Sequence, residues 1–175
     1  MSVKKEPQAH PSERIQGSYK QLSQAAISLN SASEELGKAV SILDAALKKL
    51  NLGISAWVHM CGNEDPSNGD WWSRNLGYTK VGDKWGIALK DCSGNYNWPE
   101  GDSEEIWLFN EGPRWMRTEA VGKIPDLLDA LIKQAEDTTK KIKDKTAQAY
   151  ELAVAMSKVA EEAQPAEEKP NARRA

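Results

Sequence analysis

Histidine, cysteine and phenylalanine are scarce in this sequence, with two, two and one respectively among 175 residues. The scarcity removes several chemistries. The cysteines, Cys61 and Cys92, form no CxxC pair, and one histidine, His10, sits in a polar segment near the N-terminus, so four nitrogen or sulfur ligands for a structural zinc cannot be assembled. The segment DPSNGD offers Asp65, Asn68 and Asp70 to a calcium ion, but Leu76 stands where a calcium loop places its closing glutamate. No G-x-S-x-G occurs, and no glycine-rich phosphate loop precedes a helix. No metal and no cofactor is expected.

Long apolar runs are missing as well. Nothing approaches the length that spans a bilayer, and MSVKKEPQAHPSER at the start has no apolar core of the kind an export signal needs. A cytoplasmic protein with no membrane contact and two free thiols is expected. Basic residues are not in excess: 23 Lys and Arg stand against 26 Asp and Glu, for a net charge of -3 and a pI near 5.5. Affinity for nucleic acid comes largely from basic side chains that displace counterions, so nucleic acid is disfavoured as a partner.

What the chain does have is heptad order. Between residues 12 and 51, Ile15, Leu22, Leu29, Leu36, Leu43 and Leu50 occupy d, and Tyr19, Ala26, Ser33, Val40 and Leu47 occupy a, which is coiled-coil spacing. A second pattern runs from Ile124 to Ala163, with Ile124, Leu131, Thr138, Lys145, Leu152 and Val159 at d and Leu128, Ala135, Ile142, Ala149, Met156 and Ala163 at a. At about 1.5 Å per residue the two helices are each roughly 55 to 60 Å long, a match that suits an antiparallel hairpin. The preferred register sets Leu29 on Ala149, Leu22 on Met156 and Ser33 on Lys145, so that large side chains meet small ones and the polar interruptions share a layer.

In AAISLNSASEELGKAVSILDAAL a second stripe accompanies the leucines. Ala25, Ala32, Ala39 and Ala46 occupy g, wider than a two-helix seam requires, and residues 21–33 carry no charge. This flank is expected to be an oligomer interface, with a dimer forming a four-helix bundle.

Six of the seven tryptophans lie between the helices. GISAWVHM alternates Ile54, Ala56, Val58 and Met60 as a half-buried strand does. LGYTKVGDKWGIAL reads as a hairpin with Gly82-Asp83 at its turn, pairing Tyr78 with Ile87 and Leu76 with Leu89 on a bulky face. The other face pairs Thr79 with Gly86 and Gly77 with Ala88, flat enough for another layer to approach. EEIWLFN supplies a fourth strand. Proline at 113 and 125 signals helix starts, giving a short helix from residue 113, a bend at Pro125, then the long helix.

The predicted fold is therefore α+β: a long antiparallel helical hairpin, or coiled coil, with a small antiparallel sheet inserted between its helices. Residues 1–11 form a disordered tail, 12–51 a coiled-coil helix, 53–111 the aromatic head, 113–163 the helical return, and 164–175 a second disordered tail.

Catalytic candidates are few. His59 and Cys61, two apart on a strand, would share a face, yet such neighbours align poorly for proton transfer. Glu100, Asp102, Glu104 and Glu105 cluster in a loop too polar to bury them, where paired carboxylates would need separated pKa values to act. No catalytic residue is assigned. The expected function is non-enzymatic: an adaptor or assembly protein that self-associates and presents an aromatic head to an unidentified macromolecule, with Trp71, Trp72, Trp98, Arg114 and Arg117 as partner-binding residues. The alternative is a carbohydrate or single-stranded nucleic acid module using loop tryptophans.

Overall fold

In the computed structural model, which describes residues 11–162, a long helix α1 (Pro11–Lys49) leads into four strands. These are β1 (Ala56–Asp65), β2 (Asp70–Val81), β3 (Lys84–Asn95) and β4 (Ser103–Leu108). A short helix α2 (Arg114–Ala120) and a second long helix α3 (Ile124–Glu162) complete the chain. The strands form one antiparallel sheet in chain order. The fold is α+β. Both predicted tails lie outside the described residues, except that Pro11 already belongs to α1. The chain divides after Leu131 into two units, so the first turns of α3 belong with the sheet and the remainder stands as a helix of its own.

The β2–β3 hairpin follows its predicted register. Gly82 and Asp83 form the turn, with positive φ at Gly82 (57°) and not at Asp83, the pattern of a type II′ turn, which places glycine first. Outward from it Lys80 faces Trp85, Tyr78 faces Ile87 and Leu76 faces Leu89. The pairing then continues past the predicted hairpin to Asp70 opposite Asn95. Side chains alternate between faces, so Leu76, Tyr78, Ile87 and Leu89 share one face, all of them buried. Against it pack Val40 and Leu47 of α1, Met116 and Ala120 of α2, and Ile124, Leu127 and Leu131 of α3.

The flat face is covered in part from within the sheet. A Cβ on Gly77 would collide with the Trp57 indole, so that ring lies directly over the glycine, with Lys90 Nζ 4.7 Å from its centre. Trp57 thus covers this face at Gly77, while a Cβ on Gly86 would meet Leu108 of β4 and the Asp44 carboxylate of α1.

On α1 the inward residues are Ser33, Leu36, Gly37, Val40, Asp44 and Leu47, the a and e positions with only Leu36 from d. The heptad therefore meets the head along a/e, while Leu43 and Leu50 stay exposed. Gly37 is the point of closest approach: a Cβ there would press on the Asn110 side chain, which donates to Ser41 Oγ at 3.0 Å. Ser33 Oγ accepts from Arg117 at 2.8 Å, and Lys145 donates to Gln148 on its own helix. Past the end of α1, Asn51 at φ 47° adopts the left-handed conformation that terminates helices.

α2 is followed by a 3-10 turn, Val121–Lys123, and α3 starts at Ile124 with Pro125 in its first turn. Val121 and Ile124, at the two ends of this turn, both keep right-handed helical backbone.

One contact closes the sheet on α1. β4 pairs with β3 only as far as Ala88, and the next N–H along, that of Ile87, donates to Asp44 Oδ1 at 2.8 Å in place of a strand. Lys48, one turn on, holds the same carboxylate at 2.6 Å. Replacing Asp44 with alanine leaves that N–H without its acceptor, which should destabilise the protein by about 1–3 kcal/mol in urea unfolding. Asp129→Ala, on an exposed turn of α3, should shift stability by less than about 0.5 kcal/mol.

Candidate functional site

Both turns at one end of the sheet are shorter than their composition suggests. NEDPSNGDWWSRN reads as a loop, yet β1 runs to Asp65 and β2 begins at Asp70, so Trp71 and Trp72 are strand residues on opposite faces. The intervening turn is held by Asp65, whose Oδ1 accepts from the Ser67 N–H at 2.9 Å and its hydroxyl at 2.6 Å. These bonds favour the carboxylate and lower its pKa.

The connection from β3 to β4 is fastened to that turn by amides. Asn95 Nδ2 donates to the Asn68 carbonyl at 3.0 Å and to Asp70 Oδ1 at 2.6 Å, while Asn97 Nδ2 donates to the same carbonyl at 3.1 Å. Asn95 Oδ1 accepts from the Asn97 N–H at 2.7 Å, and Tyr96 N–H donates to the Gly69 carbonyl at 2.9 Å. Two turns distant in sequence become one polar lattice. Trp98 follows, capping a 3-10 turn at Pro99–Gly101.

This lattice carries the most exposed aromatic rings of the head. Trp98 is 70% exposed and Tyr96 63%. Tyr96 sits 6.2 Å from Trp71, their planes 31° apart, and its hydroxyl bonds to Glu64, which with burial raises the phenol pKa. Trp71 itself is half-buried: a Cβ on Gly94 would meet both its indole and the Asp102 carboxylate, so ring and carboxylate converge over that glycine. Glu64, Asn95 and Asn97 were not singled out from the sequence. The recurring Asn and Asp on either side of the aromatics were the available signal.

The other proposed site residues are placed differently. Trp72 is half-buried on the opposite face, where Arg74 lies 4.4 Å from its ring centre and 4.3 Å from that of Trp115, a guanidinium between two indoles. Trp115 thereby ties α2 to the sheet. Arg114 is exposed and donates to Asn30 of α1 at 2.9 Å. Arg117, expected outside, is half-buried against Ser33, and its Nε is buried without a hydrogen-bond partner among the described residues. Both arginines clasp α2 to α1. The four alanines at g, Ala25, Ala32, Ala39 and Ala46, are all exposed.

His59 and Cys61 do not share a face. The register shifts between them at Met60, so His59 pairs with Asn75 while Cys61 pairs with Arg74, adjacent residues whose side chains point to opposite sides. Both thiols are free, and burial, the largest influence, pushes the Cys92 thiol pKa up, against the thiolate a nucleophile needs. Glu104 bonds Lys90 at 3.4 Å, whereas Glu100 and Glu105 are exposed. No helix among the described residues is long and apolar enough to cross a membrane. In comparisons with known proteins, the chain matches no family model, no curated protein and no solved structure.

Because the lattice and not the rings holds the turns, Trp98→Ala should leave the melting temperature nearly unchanged. Asn95→Ala removes bonds to Asn68, Asp70 and Asn97 together and should lower stability by about 1–3 kcal/mol. Tyr96 should titrate above an ordinary tyrosine in ultraviolet difference spectra, and Glu64→Gln should return it toward the ordinary value, because the acceptor that favours the protonated phenol is then weaker.

Proposed function

We propose that this protein is a non-enzymatic assembly protein that self-associates through its long helices and presents the turn end of its sheet to a macromolecular partner. The observation that carries this reading is a pair of uncovered helical segments of nearly equal length. Every residue of α1 from 11 to 32 is exposed, and so is every residue of α3 from 139 to 161. Both nevertheless keep apolar heptad positions, with Leu22 67% and Leu29 53% exposed on one and Leu152 67% and Met156 74% on the other. In proteins most helical stability comes from packing an apolar face and not from propensity, so stripes of this kind favour a partner helix.

The arrangement that suits them is an antiparallel coiled coil with Leu29 set on Ala149, two such hairpins joining through Ala25, Ala32, Ala39 and Ala46 into a four-helix bundle. Small residues at g permit close approach, and the absence of charge from residues 21–33 removes the repulsion and desolvation that would oppose it. The bundle would hold two heads together, raising the effective concentration of each for a repeated target. Exposed Tyr96 and Trp98 also suit a carbohydrate-binding module, the second reading, since flat rings stack on sugar faces.

The test is the mass in solution. Wild-type protein should sediment as a dimer or larger, and Ala32→Glu with Ala39→Glu, which places charge in the proposed contact, should yield monomer with a lower melting temperature. A monomeric wild type, or a variant with unchanged mass and melting temperature, overturns the reading.

A further inference from the structure

The partner's chemistry is written in the charge around the exposed rings. Residues 62–73 and 93–105, which make up the turn end, contain seven carboxylates and neither lysine nor arginine. Among the described residues only Glu104 of these meets a basic group, Lys90 from the strand beside it. Glu64, Glu100 and Glu105 are exposed, and Asp102 lies against the Trp71 indole. An aromatic face bordered by unneutralised carboxylates attracts cations twice, through the ring quadrupoles and through the field, and it repels phosphate.

Resting on the reading of this end as the partner-binding surface, we propose that it binds an arginine- or lysine-bearing segment of another protein. Trp98, Tyr96 and Trp71 supply stacking surfaces for the cationic side chains, and Glu64, Glu100 and Asp102 supply the counter-charge. The amide lattice through Asn95 and Asn97 fixes the rings beforehand, so little ordering is required when the segment arrives. The same head already uses this chemistry internally, where Arg74 lies between Trp72 and Trp115 with Asp91 at 3.5 Å as its counter-ion.

The full chain would be titrated by calorimetry with a short peptide of alternating arginine and glycine, with a glutamate–glycine peptide and a cello-oligosaccharide as separate probes. The arginine peptide should bind and the other two should not. Trp98→Ala with Tyr96→Ala keeps all seven carboxylates and should weaken binding about tenfold, as two lost cation–π contacts imply. Glu64→Gln with Glu100→Gln should weaken it and flatten its salt dependence. Absence of arginine-peptide binding, equal binding by the ring-deleted variant, which would mean diffuse charge attraction only, or ring-dependent binding of the oligosaccharide instead would each overturn the proposal. None of these results alters the sedimenting mass, so they are distinguishable from a failure of self-association.

Discussion

The register of β2 against β3 is set at Gly82–Asp83, and the rest of the head inherits it. Side chains alternate along a strand with a period of two, so a slip of one residue would carry Leu76, Tyr78, Ile87 and Leu89 to the open face and bring Gly77, Gly86 and Ala88 under the helices. With the register as it stands, bulk lies toward α1, α2 and the start of α3, and glycine lies where an indole must rest. Trp57 over Gly77 and Trp71 over Gly94 are two instances of one device: a strand without a side chain gives a neighbouring tryptophan a floor. The second instance, at the far end of the hairpin, orients the ring against which Tyr96 packs.

Much of this was legible in advance because period-two and period-seven patterns are local. The hairpin pairs at Tyr78–Ile87 and Leu76–Leu89 followed from a glycine turn and alternation, and the two long helices followed from their heptads. What was not legible depends on contacts between distant residues. Trp71 and Trp72 looked like loop residues because Asn, Asp and Gly surround them, and only the length of β3 opposite shows that the ladder continues. The bulge at Met60 leaves no mark in a sequence of alternating apolar residues, yet it separates His59 from Cys61 and ends the case for that pair. Arg114 and Arg117 looked like surface anchors, since nothing local announces Asn30 and Ser33 some eighty residues away as their acceptors.

The heptad of α1 serves two masters along its length. From Ser33 onward the helix is committed to the head through a and e, with Gly37 allowing Asn110 to bond α1 at the Gly37 carbonyl and Ser41. Among the described residues before Ser33, 11 to 32, none is covered. A continuous pattern in sequence thus divides into a half already buried and a half that remains apolar and open, and the division falls where Arg117 reaches across. Rotating the helix to satisfy one half would compromise the other, which is why Leu36 alone among the d leucines is half-buried while Leu29 and Leu43 face outward.

The bulge at Met60 has a consequence for crowding. β1 is an outermost strand of the sheet, ten residues long, with one row of main-chain donors and acceptors facing away from β2. A regular edge of that length is a template on which a neighbouring molecule's strand can grow, and heads gathered at high local density would meet edge to edge often. An extra residue in mid-strand breaks the spacing of the row, so an incoming straight strand finds its hydrogen bonds on either side of Met60 out of phase. On the opposite flank, β4 is only six residues long, and where it stops Asp44 occupies the next open donor of β3. Each edge is blunted by a different means, which protects a sheet protein from accidental polymerisation.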